Sequence, residues 1–134
     1  MMKKILAVLT VMICTAPWSF AADDLFSKID TDKDGKISRQ EYMNAVGETF
    51  DKLDKNRDGV LTREEILSMY KIDAKKIMKE YDADNDGKIT KKEFEQAAEK
   101  RFTSLDKNKN GYIDKKEWLS NHFTKSLMFI LFRF

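Results

Sequence analysis

The sequence predicts an all-α fold built from repeated helix–loop–helix units, and three observations support this prediction. A twelve-residue pattern of oxygen-bearing side chains recurs four times, with glycine at its sixth position each time. Apolar residues recur at spacings of three and four on both sides of each copy, which is the periodicity of amphipathic helices. The eighth position of each copy is also apolar, which suits a short strand pairing between two loops.

The first copy of the pattern spans residues 30–41 and has the composition of a calcium loop. Ca²⁺ takes about six to eight oxygen ligands, and carboxylates at the odd positions of a tight coil point inward to supply them. Glycine at position 6 allows a bend that a Cβ would block, and a backbone carbonyl contributes at position 7. A glutamate at position 12 closes the shell with both of its oxygens. The predicted ligands are Asp30, Asp32, Asp34, Lys36 through its carbonyl, Ser38 and Glu41.

Three further loops, at 54–65, 82–93 and 106–117, fill the same positions. The second loop offers Asp54, Asn56, Asp58, the Val60 carbonyl, Thr62 and Glu65. The third offers Asp82, Asp84, Asp86, the Lys88 carbonyl, Thr90 and Glu93. The fourth offers Asp106, Asn108, Asn110, the Tyr112 carbonyl, Asp114 and Glu117. The competing interpretation is a set of solvated acidic turns. It gives no reason for glycine to recur at position 6 and glutamate at position 12 in all four copies.

On these loops the chain resembles the EF-hand superfamily, and more closely the small exported bacterial proteins with tandem EF-hand loops. The resemblance covers about residues 25–120. It implies helix–loop–helix units, bound Ca²⁺ and no catalysis. It leaves the partner open, because the superfamily includes both sensors and buffers.

The first 21 residues have the features of a secretory signal peptide. A basic start at Lys3 and Lys4 precedes an apolar run over 5–16, and Ser19 and Ala21 are small residues at the two positions that a signal peptidase reads, with cleavage expected after Ala21. We therefore expect an exported protein, periplasmic or secreted. Its mature EF-hand domain would span residues 22–126.

Two other interpretations of this leader are weaker. The apolar run is too short to span a membrane comfortably. Lipid attachment at Cys14 is disfavoured because the bulky Ile13 stands where a lipoprotein cleavage site takes a small residue. Cys14 is the only cysteine, so the mature chain would hold no disulfide, and bound metal would take over the stabilising role that disulfides have in small exported domains.

The loops are expected to form two pairs. They begin at residues 30, 54, 82 and 106, so the intervals are 24, 28 and 24, and the equal intervals suggest pairing of loop 1 with loop 2 and of loop 3 with loop 4. Only the twelve-residue segments 42–53 and 94–105 separate these loops. Either each segment holds two very short helices with a bend, which Gly47 would ease, or one helix of about 20 Å serves both loops. In the second case the loops at its two ends cannot pair with each other.

The four loops are predicted to differ in affinity. Loops 1 and 3 each place three aspartates and one glutamate on the ion, whereas Asn56 replaces a carboxylate in loop 2. Loop 4 carries Asn108 and Asn110 and recovers some charge through Asp114. Because fewer anionic ligands usually mean weaker binding, loops 1 and 3 should bind most tightly and loop 4 most weakly.

Charge predicts a calcium-dependent partner. The chain has 25 basic and 23 acidic side chains, and removal of Lys3 and Lys4 with the leader leaves 23 of each. Four calcium ions would then add eight positive charges, so the loaded protein is expected to attract an anionic surface or a protein partner. Nucleic-acid binding lacks support because the basic residues are scattered and matched by acids. No transmembrane segment is expected in the mature chain.

The sequence favours a calcium-responsive binding or sensor protein, with metal shaping an apolar groove, over its alternative, a calcium buffer or calcium-stabilised module. An enzyme is not expected: His122 is the only histidine, and the carboxylates stand in metal-loop register rather than as an acid–base pair. The apolar tail at 127–134 has three interpretations. The first is that it packs over the domain, the second that it anchors the chain or binds a partner, and the third that it is a sequence artefact.

Overall fold

The computed structural model describes residues 19–69 and 74–120, and within these ranges the chain is mostly helical. The helices are α1 (Ser19–Ile29), α2 (Arg39–Leu53), α3 (Arg63–Met69), α4 (Ala74–Tyr81), α5 (Lys91–Leu105) and α6 (Lys115–Ser120). The strands are β1 (Lys36–Ser38), β2 (Val60–Thr62), β3 (Lys88–Thr90) and β4 (Tyr112–Asp114). Most of the predicted leader, His122 and the tail 127–134 lie outside the described residues.

Helices α2 and α5 are continuous and each has 15 residues. Helix α2 begins at Arg39, within loop 1, and ends directly before loop 2, and α5 connects loops 3 and 4 in the same way. The bend considered near Gly47 is therefore absent from α2, and the shared-helix geometry is the one adopted. At about 1.5 Å per residue such a helix is roughly 22 Å long, which keeps the loops at its two ends apart.

The loops form two pairs, as expected, but the partners differ from those that the spacing suggested. Strand β1 pairs antiparallel with β4, and Ile37 lies opposite Ile113. Strand β2 pairs antiparallel with β3, and Leu61 lies opposite Ile89. Loop 1 thus pairs with loop 4 and loop 2 with loop 3, so the suggestion of pairs 1–2 and 3–4 was wrong. The apolar residues at position 8 do form the bridges, as predicted.

The two halves of the chain are related by an offset of 52 residues, since 82 − 30 and 106 − 54 both equal 52. Helices α2 and α5 pack antiparallel, and residues that the offset relates make equivalent contacts at the two ends of this packing. The ring centroids of Tyr42 and Phe102 lie 5.4 Å apart, and those of the equivalent pair Phe94 and Phe50 lie 5.5 Å apart. Val46, midway along α2, is fully buried. We call this antiparallel contact the central seam.

Two ion pairs border the central seam. Arg39 at the start of α2 contacts Glu99 on α5 at 2.8 Å, and Lys91 at the start of α5 contacts Asp51 on α2 at 3.2 Å. Glu99 is half-buried and the other three side chains are exposed, so each pair contributes at most about 1 kcal/mol to folding. Burial of apolar and aromatic surface along the seam therefore dominates its stability.

Every described helix contributes to one apolar core. The Phe26 and Trp118 rings meet edge to face at 6.0 Å and join α1 to α6, and Tyr81 stacks on Phe94 at 5.2 Å to join α4 to α5. The buried core residues are Leu25, Phe26, Ile29, Ile37, Tyr42, Val46, Phe50, Leu53, Leu61, Ile66, Ala74, Ile77, Tyr81, Ile89, Phe94, Ala98, Phe102, Leu105, Ile113 and Trp118. In the described ranges no helix has the length and apolar character needed to cross a bilayer.

Replacement of Gly47 by alanine should raise the free energy of unfolding by about 0.5–1 kcal/mol, because alanine is the better residue inside a helix. A Cβ at this position meets no atom within 4 Å. Gly35→Ala is the matched control: its Cβ also finds open space, but φ is +82° there, so this variant should lose about 1–2 kcal/mol. Urea unfolding of both variants with calcium measures the difference. A loss of stability in Gly47→Ala would mean that α2 is not a continuous helix.

Candidate functional site

Each loop is held by hydrogen bonds from its own backbone to the carboxylate at position 1. In loop 1 the amide N–H groups of Asp34 and Gly35 donate to Asp30 Oδ1 and Oδ2, at 3.2 and 3.0 Å. The same two contacts occur at Asp54, Asp82 and Asp106, at 2.8 to 3.1 Å. The backbone of each loop therefore curls around the carboxylate at position 1, which accepts hydrogen bonds from two of its amides.

The coil also needs two residues with left-handed backbone. Glycine occupies position 6 in every loop, with φ between 81° and 86°. Position 4 is left-handed as well, at Lys33, Arg57, Asn85 and Lys109, with φ from 58° to 60°. This conformation costs a non-glycine residue roughly 1–2 kcal/mol, and asparagine tolerates it best. This requirement was not predicted from the sequence, in which Asn85 is the one residue typical of left-handed backbone.

The glutamate at position 12 is fixed by the start of the following helix. Glu41 Oε2 accepts hydrogen bonds from the Ser38 N–H and hydroxyl, both at 2.8 Å, and the Glu41 N–H donates to the Ser38 hydroxyl at 3.2 Å. This reciprocal arrangement is a capping box, and Thr90 with Glu93 forms another at the start of α5. Helix capping and presentation of the last ligand are therefore the same structural feature.

The remaining loops use position 9 in a similar way. Thr62 donates its hydroxyl to Glu65 Oε2 at 2.9 Å, and the Glu117 N–H donates to Asp114 Oδ1 at 2.7 Å. All four residues predicted as ligands at position 9 thus lie beside the glutamate of their own loop. The backbone carbonyls predicted at position 7 belong to the first residues of the four strands.

The second oxygen of each glutamate reaches across the loop to its beginning. Glu41 Oε1 accepts from the Thr31 N–H at 2.8 Å and from the Thr31 hydroxyl at 2.9 Å. Backbone amides at the equivalent position donate to Glu65, Glu93 and Glu117 at 3.0 to 3.2 Å. The hydroxyl contact is particular to loop 1, since the equivalent residues are Lys55, Ala83 and Lys107.

In loops 1 and 3 these contacts lower the pKa of the closing glutamate. For Glu41 the largest influence is desolvation, which raises the pKa, but hydrogen bonds from Ser38, Thr31 and Asp32 outweigh it and lower the pKa to about 2. The pKa of Glu93 is also lowered, chiefly by the hydrogen bond from the Thr90 backbone. Both side chains are thus available as anionic ligands.

The carboxylate at position 3 shows the opposite effect. A hydrogen bond from the Asp34 backbone lowers the pKa of Asp32, but desolvation and the charges of Asp34 and Glu41 together raise it above its ordinary value. The pKa of Asp84 in loop 3 is raised by the same balance of causes. A bound cation would relieve this crowding of negative charge.

Loops 1 and 3 each bring together a set of carboxylates that could hold a metal ion. One set is Asp30, Asp32 and Glu41, the other is Asp82, Asp84 and Asp86, and in each set one oxygen per residue lies within 4.8 Å of the others. An all-oxygen set suits hard cations such as Ca²⁺ rather than zinc or copper.

Loops 2 and 4 have the same backbone but fewer carboxylates at the predicted ligand positions. The Asp58 N–H donates to Asn56 Oδ1 at 3.0 Å, and the Asn110 N–H donates to Asn108 Oδ1 at 3.0 Å. These amide oxygens occupy the positions that Asp32 and Asp84 occupy in the other two loops. The geometry at position 3 is therefore preserved where the charge is not.

The lysines at position 2 of loops 2 and 4 form contacts that the sequence did not reveal. Lys55 Nζ donates to the Ser68 hydroxyl at 2.8 Å, and Lys107 Nζ donates to the Ser120 hydroxyl at 3.3 Å. Each serine lies near the end of the helix that follows its loop, so each lysine ties the start of a loop to the end of α3 or α6.

Two family models match the chain. A model described as an EF-hand domain pair matches residues 44–99, and a model described as an EF hand matches 22–46 and 99–120. The range of the pair model contains loops 2 and 3, which strands β2 and β3 join. A comparison with curated proteins gives no significant match. The matches and the loop geometry place the chain in the EF-hand superfamily. The ion that such loops bind is Ca²⁺.

Lys33→Asn should stabilise the protein because asparagine adopts the left-handed backbone of position 4 more readily than lysine. We expect a gain of about 0.5–1 kcal/mol over Lys33→Gln, which removes the same charge but keeps the backbone penalty. Unfolding by urea without calcium compares the two variants. Equal stabilities would show that position 4 carries no backbone strain.

Proposed function

We propose that all four loops bind Ca²⁺ and that the ion stabilises a closed domain rather than opening it. The observation that supports this proposal is that α2 and α5 each serve two loops. In EF-hand sensors calcium changes the angle between paired helices and exposes an apolar groove. Here α2 and α5 each belong to both loop pairs, so such a rotation in one pair would strain the other pair and break the central seam.

The composition of the surface supports a closed domain. Among the described residues the large apolar side chains that are exposed are Leu67, Tyr112 and Leu119, at 48%, 42% and 46%. They lie on α3, β4 and α6, separate from the buried core. Three exposed apolar side chains on three different elements are ordinary for a protein surface.

Calcium would supply stability that this small domain needs. At a calcium concentration about 100-fold above the dissociation constant, each independent site adds roughly 2.7 kcal/mol. Asp30, Asp54 and Asp106 are only 5–7% exposed, and an unpaired buried carboxylate opposes folding unless a cation compensates its charge. We further propose export to the periplasm or beyond, based on the leader pattern, where affinities of about 10⁻⁴ to 10⁻³ M would suffice. The proposal assigns no catalytic role to any residue.

The sensor function remains the second candidate, and one observation favours it. Leu67 and Leu119 are equivalent under the 52-residue offset, and they occupy the helices that follow loops 2 and 4. Two exposed leucines in equivalent places are suited to contact with an apolar partner. Met43 and Met78 pack against the core and would add adaptable surface if the helices moved.

Calorimetric titration with calcium, and separately with magnesium, tests the proposed sites on the protein freed of its leader. We expect four calcium ions per chain. Glu41→Gln should remove one strong site, whereas Gln40→Glu, its exposed neighbour, should leave the stoichiometry at four. Loops 1 and 3 should fill before loop 4, because they carry more carboxylates. Two ions per wild-type chain would contradict the assignment of loops 2 and 4.

A hydrophobic dye added to the same titration separates a closed domain from a sensor. Trp118 is 1% exposed and directly follows Glu117, so its emission reports filling of loop 4. We expect dye emission to stay flat or fall while the tryptophan signal changes. A dye signal that rises with calcium would support the sensor and overturn the closed domain.

A further inference from the structure

The pairing of loops 1 and 4 gathers basic side chains at one end of the molecule. Strand residues Ser38 and Tyr112 lie opposite each other, and Lys36 Nζ lies 5.5 Å from the centroid of the Tyr112 ring. Lys33 and Lys109 occupy the left-handed position 4 of the two loops. We call the following set, all of which is exposed, the cationic tip: Lys33, Lys36, Lys107, Lys109 and Tyr112.

The acidic side chains near the cationic tip are the predicted ligands of loops 1 and 4, and bound calcium would neutralise their charge. Loops 1 and 4 contain seven carboxylates, all at predicted ligand positions: Asp30, Asp32, Asp34, Glu41, Asp106, Asp114 and Glu117. They also contain seven basic side chains: Lys33, Lys36, Arg39, Lys107, Lys109, Lys115 and Lys116. Loops 1 and 4 together are therefore formally neutral without metal, and two calcium ions would bring their charge to about +4.

The opposite tip, formed by loops 2 and 3, would carry a smaller positive charge with calcium bound. It contains eight carboxylates, Asp54, Asp58, Glu64, Glu65, Asp82, Asp84, Asp86 and Glu93, against six basic side chains, Lys55, Arg57, Arg63, Lys88, Lys91 and Lys92. Two calcium ions would bring this end only to about +2. Under the 52-residue offset, Asn85 replaces Lys33 and Val60 replaces Tyr112, so the opposite tip also lacks the exposed aromatic ring.

We propose that the calcium-loaded cationic tip docks on the anionic headgroups of a lipid bilayer. This inference rests on the proposed calcium binding by loops 1 and 4. The cations of the tip are lysines, which act as point charges rather than as the planar forks that recognise individual carboxylates or phosphates. A cluster of lysines suits the diffuse negative potential of a membrane, where each contributes roughly 5-fold in affinity.

Tyr112 adds a feature that charge alone does not supply. Tyr112 is 42% exposed, and Lys36 lies over the face of its ring. Tyrosine favours the boundary between water and lipid because it combines an apolar ring with a polar hydroxyl. Calcium thus acts as the switch, since it removes the negative charge that otherwise masks the tip.

Co-sedimentation with vesicles tests this docking on the protein freed of its leader, the same sample that calorimetry uses. Vesicles of phosphatidylglycerol and phosphatidylcholine in equal parts provide the anionic surface, and pure phosphatidylcholine provides the neutral one. Calcium is set to the level at which calorimetry shows the sites filled, or removed with a chelator. We expect binding only to the anionic vesicles, only with calcium, and weakened by added salt.

A matched pair of double variants locates the surface. Lys107→Gln with Lys109→Gln removes two charges from the cationic tip, and Lys55→Gln with Arg57→Gln removes the equivalent two from the opposite tip. The first should weaken vesicle binding about 25-fold, and the second by only a few fold. None of these four side chains is a predicted ligand, so circular dichroism and calcium stoichiometry should match the wild type in both.

Three outcomes would overturn the docking inference: equal losses in the two double variants, binding that ignores calcium, or equal binding to neutral vesicles. Calorimetry on the same samples keeps the two proposals distinct. If the wild type binds four calcium ions but no anionic vesicles, only the docking is wrong. If it binds no calcium, the proposed function itself fails.

Discussion

The structure depends on one constraint, which is that a single helix serves two loops. Helices α2 and α5 each supply the closing glutamate of one loop at their first turn and the first aspartate of another loop just after their last residue. A rigid helix of about 22 Å holds those two loops apart, so each must find its partner on the other shared helix. Antiparallel packing of α2 on α5 satisfies this requirement for all four loops at once.

This arrangement links the four loops in a closed ring. Loop 1 is joined to loop 2 by α2, loop 2 to loop 3 by strands β2 and β3, loop 3 to loop 4 by α5, and loop 4 back to loop 1 by β4 and β1. Within each loop the carboxylates are drawn together by backbone amides, although their charges repel. The folded chain therefore holds crowded negative charge that bound cations would relieve.

Much of this could be predicted from the sequence, because the requirements of calcium loops are local. The glycine at position 6, the caps at position 9 and the bridging residues Ile37, Leu61, Ile89 and Ile113 all follow from spacing within twelve residues. The left-handed backbone at position 4 was missed because lysine and arginine give no local sign of it. The contacts of Lys55 and Lys107 with serines were missed because they depend on how the following helix is placed.

The choice of loop partners could not be predicted because the intervals between loops fit two geometries equally well. The 52-residue offset relates loop 1 to loop 3, but it states only which loops are equivalent and not which ones touch. The pairing of the loops is set by the continuity of α2 and α5 and by the packing of Tyr42 and Phe50 on α5. The leader and the tail 127–134 remain sequence predictions.

Cross-strand contacts observed by NMR test the crossed pairing most directly. In the isotope-labelled, calcium-loaded protein we expect backbone contacts between Ile37 and Ile113 and between Leu61 and Ile89. Contacts between Ile37 and Leu61, or between Ile89 and Ile113, would instead show that neighbouring loops pair. That result would remove the shared helices and the closed domain that depends on them.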